Sequence, residues 1–542
     1  MAGKRILSLP IILGILGVLI CLLYWKLLLP PYLTFSDAAK FADIARNLVT
    51  GREYGVNFTF FGNKMPEMVG GLFPAGVSPF SPFTLAILFK IFGITDFTVI
   101  LTSGFFYLTG AVALYFLGKK IFGNLVGILA SLAFIFDPAM LNYATSGASE
   151  TLFIFLIIFA AFLFYCAATN FIYINTKVSL LFGFLTLIAL YFTRQSAIIY
   201  IFSFVLFFIL LKFKKRSQIL KASGVAIFCW IIIELFLINF SGKYFLYSPI
   251  SSLLYGTTHF LPTVASTATL RGGLVSAGFQ LKPFLSKLFY NLYNFYKLVP
   301  QILSPYLVAF YFMSFLRWEK EREKWAFRLV VLFMVVATFI ASAAFLPIYR
   351  YLHPVIPFVY LLGAEMLVWI LGKMFKERRK AFLAGLALIM IFIVGQTTGK
   401  IFLDSRYLRA HTNQDKPPVY VKLAWLLKEN TNPDDLVITN LDTWGSWYGE
   451  RKTIWFPLQP EQLIPEQGRE SKIDAIYLTS YKMDDENYFM GEEWREMFYQ
   501  PEKLEDSFFA ENFELAGKFE IEPEETYEWK EARAILLKRK KQ

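Results

Sequence analysis

Six ionisable side chains fall at the ends of apolar runs: Asp37, Asp137, Glu150, Arg194, Arg350 and His353. A carboxylate so placed can take a proton from an attacking hydroxyl, and a guanidinium can grip a phosphate with a two-pronged fork. Asp37 lies in LTFSDAAKFADIARNLVTG, Asp137 and Glu150 bracket DPAMLNYATSGASE, and Tyr349, Arg350, Tyr351 and His353 crowd between Pro347 and Pro354. Each has a plainer role as well. Asp37 complements the dipole of a helix starting beside it, Glu150 follows Ser149 at a helix cap, and Arg350 reaches lipid headgroups along its aliphatic stem. An ion-pair network of these groups would read the same in sequence. Ionisable groups bordering an apolar slab are nevertheless costly, and tend either to pair or to carry function.

The elements that must carry them are membrane helices. Of 542 residues, 56% are hydrophobic and 17% charged, and mean hydropathy is +0.50. Soluble chains average about 45–50% apolar and about 25% charged. About 20 mainly apolar residues cross the hydrocarbon core as a helix. About eleven runs qualify: 6–29, 94–117, 121–137, 150–169, 178–194, 197–211, 222–240, 298–316, 327–347, 354–371 and 381–398. Cys21, Cys166 and Cys229 each sit in an apolar run with no second Cys or His at ligand spacing, so neither a disulfide framework nor a zinc site is readable.

Cations in short loops mark the cytoplasmic side. Lys119 and Lys120, the cluster from Lys212 to Lys221, that from Arg317 to Arg328 and that from Lys373 to Lys380 all alternate onto the side of Lys4. The chain is thus expected as a multi-pass protein of the cytoplasmic membrane with its N-terminus inside. Segments 30–93, 138–149, 241–297 and 348–353, and everything from 400 onward, then lie outside. Charge divides at the same place: residues 400–542 carry 20 basic and 28 acidic side chains, a net −8, against +20 before them. Residues 1–399 read as a membrane domain with an exterior loop at 30–93, and 400–542 as an exterior soluble domain.

In that second domain Val419 to Lys428 is helix-like, Leu436–Thr439, Thr453–Phe456, Ile473–Thr479 and Ala534–Leu537 are strand-like, and a helix is expected around Pro460–Glu466. The fold class is mainly α, a multi-pass transmembrane bundle with a small C-terminal exterior α/β domain. Between Leu33 and Gly51, Phe41, Ile44, Ala45 and Leu48 share one helical face, which predicts an amphipathic helix on the membrane surface, capped by Ser36 and with Asp43 in solvent. Basic residues sit in short clusters between apolar runs, against a nucleic-acid partner. No HExxH, GxSxG or strand-borne GxGxxG occurs. Glu234 and Glu365 lie inside spans, isolated in their neighbourhoods, and would suit proton transport. A polytopic transporter or lipid flippase is the rival class, against which stand the absence of a clear repeat and the gathering of polar groups at one face.

Taken in order, SDAAKFADIARNLVTG, FPAGVSPFSPFTLAILFKIFG, GKKIFGNLVGILASLAFIFDP, the outer-loop Glu150, FTRQSA and IYRYLHPVIPF resemble the C-type glycosyltransferase superfamily, within it the protein O-mannosyltransferase and aminoarabinose transferase branch. The resemblance implies the C-type fold and inverting transfer of a sugar from a polyprenyl-phosphate donor to a protein, lipid or glycan acceptor at the outer membrane face. It matches Asp37 to the first exterior-loop acid, acting on the acceptor as general base or through a metal, and Glu150 to the second. A divalent ion, if held, would fall to these two; no other cofactor is implied. A prenyl-tailed donor cannot leave the bilayer, so its phosphate must react at the headgroup plane, where Arg350 leads and Arg194 follows as phosphate ligand, beside Tyr349 and His353. His259 and Lys64 are more remote candidates. Asp37-Ala38 replaces the Asp-Glu pair of the mannosyltransferases, and Val77-Ser78-Pro79 the Lys-Pro-Pro of the aminoarabinose transferases, so the acceptor stays open. DTWGSWYGERKTIWFP, 442–457, is similar to the Trp-rich acceptor motif of oligosaccharyltransferases, a lesser alternative.

Overall fold

A computed structural model describes residues 8–61, 65–169, 175–194, 196–241, 281–317, 321–344, 347–393, 415–457, 459–466, 473–483, 490–503 and 507–540. Helices form along the apolar runs: α1 (Ser8–Leu28), α4 (Asp96–Ile121), α5 (Asn124–Phe136), α7 (Glu150–Ala168), α8 (Thr176–Tyr191), α9 (Ala197–Lys212) and α10 (Arg216–Ser241), then Leu281–Ile302, Pro305–Leu316, Arg322–Ala344, Ile356–Met374 and Arg378–Ile389. Among the described residues, Asp96–Ile121, Glu150–Ala168, Arg322–Ala344 and Tyr349–Met374 are long and apolar enough to cross a membrane unaided, and six spans result if each bent pair counts as one. Those pairs are Asn124–Phe136 with Pro138–Ser146, bent by 60°, and Leu281–Pro300 with Pro305–Leu316, bent by 113°. The expected eleven therefore include several shorter apolar helices. Proline accounts for both breaks, because it can start a helix but clashes with the turn before it.

The segment from 30 to 93 departs from a simple surface helix. α2 (Ser36–Val49) packs on α3 (Phe80–Phe92) and on the short helix Trp444–Trp447, burying Ala38, Ala39, Ala42 and Ala45. Its preceding residue is Phe35, with no side-chain cap, so Ser36 does not have the expected role. Asp43, expected in solvent, is wholly buried. It accepts from Arg46, from the Asn57 backbone N–H at 2.7 Å and from Asn57 Nδ2 at 3.0 Å. Arg46 in turn donates to the carbonyls of Trp447 at 3.0 Å and Ser446 at 2.7 Å. The return of the loop at Asn57 onto α2, which periodicity along the helix cannot register, gives the buried carboxylate its partners.

Asn57 leads into β2 (Phe58–Phe60), and with it the loop joins the C-terminal sheet. A small hairpin pairs β1 (Gly55–Val56) with β3 (Phe73–Pro74). The main sheet runs β2, β5 (Lys452–Trp455), β4 (Leu436–Thr439), β6 (Ala475–Thr479), β8 (Ala532–Arg539), β7 (Phe513–Ile521). The first four are parallel and the last two antiparallel, with Phe58 opposite Thr453 and Phe60 opposite Trp455. The four strands expected from 436 onward are present, and β2 and β7 complete the sheet. Asp96, at the start of α4, fastens the domain to the bundle by accepting from Trp447 Nε1 at 2.8 Å and Tyr448 Oη at 2.7 Å. Trp444 and Trp447, in the segment similar to an acceptor motif, are thus buried in this junction.

At the opposite end Glu365 is not isolated: its oxygens meet Arg317 at 2.5 Å and Arg328 at 2.9 Å. Both of its oxygens are committed to structure. Removing one partner from a buried ionic cluster costs about 3–5 kcal/mol. We therefore expect Asp43→Ala to lower the melting temperature of the lipid-reconstituted protein sharply and to open the sheet domain to proteolysis, whereas truncation of the fully exposed Asp434 leaves both unchanged.

Candidate active site

Four elements meet at the sheet-bearing end of the bundle: the first turn of α2, the kinked helix α6 (Pro138–Ser146), the start of α7, and a 3₁₀ turn at Tyr349–Val355. Asp137 caps α6, accepting from the N–H groups of Ala139 at 2.9 Å and Met140 at 3.0 Å, and it also accepts from Tyr360 Oη at 2.5 Å. Its oxygens are thereby committed to structure. Pro347 precedes the 3₁₀ turn and Pro354 lies in its last part, and in such a turn side chains three apart eclipse, which sets Arg350 and His353 on one side.

Two acid–arginine pairs form the centre. Arg350 Nη1 lies 2.8 Å from Asp37 Oδ2, with side chains 22% and 42% exposed. Arg194 Nη2 lies 2.6 Å from Glu150 Oε1, with side chains 16% and 2% exposed, and also donates to Ser149 Oγ at 3.1 Å. The pairs share one field, since Arg350 interacts electrostatically with Glu150 as well as Asp37, and with Arg194. Phe35 and Tyr351 lie under the Arg350 guanidinium at 5.7 and 5.4 Å. Tyr349 is largely exposed beside the cluster, its ring 5.7 Å from that of His353. The sequence-derived candidates Asp37, Glu150, Arg194, Arg350, Tyr349 and His353 therefore converge. Lys64 and His259 lie outside the described residues.

Sequence reasoning overlooked Lys40 and Tyr143. Lys40, one turn beyond Asp37, is lodged near Asp37 and Asp442; burial lowers its ammonium pKa, while the two carboxylates work against that shift. Asp442 comes from the C-terminal domain in a left-handed conformation, φ 58°, which Asp tolerates better than most residues. Its neighbour Thr443 donates to the Ser36 carbonyl at 2.8 Å, so the soluble domain touches the turn that carries Asp37. The Lys at i+3 from Asp37 was the available signal. The two expected metal-binding acids each face an arginine, and among the described residues no group of three or more His, Cys, Asp or Glu converges.

The family model described as dolichyl-phosphate-mannose-protein mannosyltransferase matches residues 76–239. No curated protein matches the chain by sequence. Among solved structures it is similar to ArnT from Cupriavidus metallidurans bound to undecaprenyl phosphate, with 9% identity and TM-score 0.52 over 99% of this chain and 98% of that one. It is also similar to the apo oligosaccharyltransferase of Archaeoglobus fulgidus, with 13% identity and TM-score 0.54 over 91% of this chain and 72% of that one. The same archaeal enzyme tethered to an acceptor peptide with the NVT sequon matches at 12% identity and TM-score 0.50, over 89% and 70%. The chain has the C-type glycosyltransferase fold in an integral membrane protein, and the family model indicates a glycosyltransferase.

The two pairs differ in what they hold. A half-exposed ion pair contributes at most about 1 kcal/mol, whereas breaking a buried one costs about 3–5 kcal/mol. Thermal unfolding in lipid nanodiscs should accordingly show Asp37→Asn close to the parent and Glu150→Ala markedly destabilised.

Proposed function

We propose that the protein transfers a sugar from a polyprenyl-phosphate donor to an acceptor hydroxyl at the non-cytosolic face of the cytoplasmic membrane, with inversion at the anomeric carbon. One observation carries this reading: two arginines, each tied to an acid, meet at a single rim of an apolar bundle. A nucleotide pocket is unnecessary for a donor anchored by its lipid, and paired guanidiniums suit a phosphate monoanion or dianion at headgroup depth.

In this mechanism Arg350 and Arg194 receive the donor phosphate, with His353 and Tyr349 beside it. As the phosphate takes over the Arg350 fork, the Asp37 carboxylate is released next to the sugar. The acceptor oxygen forms a bond to C1 while the bond from C1 to the phosphate oxygen breaks. The acceptor proton passes to Asp37, and the electron pair leaves on the polyprenyl phosphate, where the guanidiniums stabilise it. Glu150 holds Arg194 in place. The exposure of Asp37 gives an acceptor access that buried Glu150 lacks, which separates the two acids by role. In this reading the soluble domain, whose Thr443 touches the α2 turn, helps to define the acceptor path.

Purified protein in nanodiscs, given a panel of prenyl-phosphate sugars, provides the test. Turnover by the parent, lost about 10²- to 10⁴-fold in Asp37→Asn while donor binding persists, is the expected result. Arg350→Ala should weaken donor binding, and Arg350→Lys should not restore it, because a point charge lacks the fork. Unimpaired turnover in Asp37→Asn would remove the base from this scheme. Membrane-impermeant labelling of single cysteines should reach position 525 from outside and position 377 only from the cytosol.

A further inference from the structure

Tyr143 lies in the middle of the charged cluster without touching either carboxylate. It belongs to α6 and is buried, and its hydroxyl sits 2.6 Å from His353 Nδ1 with the two rings 5.4 Å apart. Phe35, which also lies under Arg350, packs edge-on against the Tyr143 ring at 6.1 Å. Glu150, Arg194, Arg350 and Tyr349 all interact electrostatically with the Tyr143 hydroxyl. His353 is itself buried, and its second ring nitrogen, Nε2, has no hydrogen-bond partner among the described residues. Buried polar atoms of this kind are rare in folded proteins and call for a ligand or a water.

Chemistry decides which way the bond between the two rings runs. A phenol is a better donor than acceptor, and in a neutral imidazole one nitrogen donates while the other accepts. The hydroxyl of Tyr143 therefore donates to Nδ1, and the ring proton resides on Nε2. That N–H is then an unsatisfied donor on the same side of the 3₁₀ turn as Arg350. A donor in a cluster whose Tyr143 hydroxyl feels both Arg194 and Arg350 is matched by an anionic oxygen.

We propose that Tyr143 is a positioning residue that locks His353 in its Nε2–H tautomer, so that His353 donates to an oxygen of the donor phosphate beside Arg350. The assignment rests on reading the cluster as the donor site. Tyr143 does not contact the phosphate; its effect passes through the imidazole.

The test uses the full-length protein in nanodiscs, with undecaprenyl phosphate as probe and selective ¹⁵N-histidine labelling. The chain has three histidines, so the His353 signal is found by comparison with a His353 variant. The parent should show the proton on Nε2 and bind the probe, and Tyr143→Phe should shift the tautomer and weaken binding about tenfold, as loss of one charge-assisted hydrogen bond predicts. A second pair of variants avoids dependence on the fold of Tyr143→Phe: the amide of His353→Gln reaches the Nε2 position and should keep most of the affinity, whereas that of His353→Asn reaches the Nδ1 position and should lose it. Equal affinity in the Gln and Asn variants, or an unchanged tautomer and affinity in Tyr143→Phe with a parent that binds, would overturn the assignment alone. A parent that binds no undecaprenyl phosphate overturns the donor-site reading and this assignment with it.

Discussion

A charge at the border of an apolar slab must find a partner, and the organisation of this protein follows from that requirement. Asp37 with Arg350 and Glu150 with Arg194 satisfy it at one end of the bundle, and Glu365 with Arg317 and Arg328 at the other. The two ends use it differently. Glu365 is enclosed between two cations, a brace that ties three helical segments. At the sheet-bearing end one pair is buried and the other opens to solvent, so a fixed cation stands beside an exchangeable one. In the proposed mechanism an arriving phosphate displaces Asp37 from Arg350 more easily than Glu150 from Arg194, and burial is what separates the proposed reactive acid from the structural one.

Much of this was legible without coordinates. The alternation of apolar runs and basic loops assigns each charged residue to one end, so the company kept by Asp37, Glu150, Arg194 and Arg350 was accessible from order alone. Which acid would face which arginine was not, because that depends on how the helices pack. The strands at 436–439, 452–455 and 475–479 announced themselves by short runs of apolar and β-branched residues. β2 did not: Phe58–Phe60 is three residues long, and its partner is remote in sequence. Asp43 failed for a related reason, since its partner Asn57 comes from the loop beyond α2 and not from the helix itself.

Tyr143 shows the same boundary at the site. It lies in the same loop as Asp137 and Glu150, but its relation to His353 spans 210 residues and arises only where the chain bends between α5 and α6 at Asp137. Local reading finds residues with reactive groups; it does not find the neutral side chains that aim them. The match over residues 76–239 covers α6 and the Glu150–Arg194 pair but stops short of the 3₁₀ turn, so the second half of the cluster rests on geometry.

The strand borrowed from the first large loop has a consequence for biogenesis. Arg46 and Asn57 find their partners in the 446–455 region, about 400 positions later. A ribosome delivers the loop early and β5 near the end of synthesis. Throughout that interval the edge formed by Phe58–Phe60 and the Arg46 guanidinium wait beside the membrane without their late partners. Completion of the sheet is therefore a late event that reports on insertion of every helix between the two segments, and a chain whose helices have entered in the wrong order would leave that edge exposed to quality-control proteases.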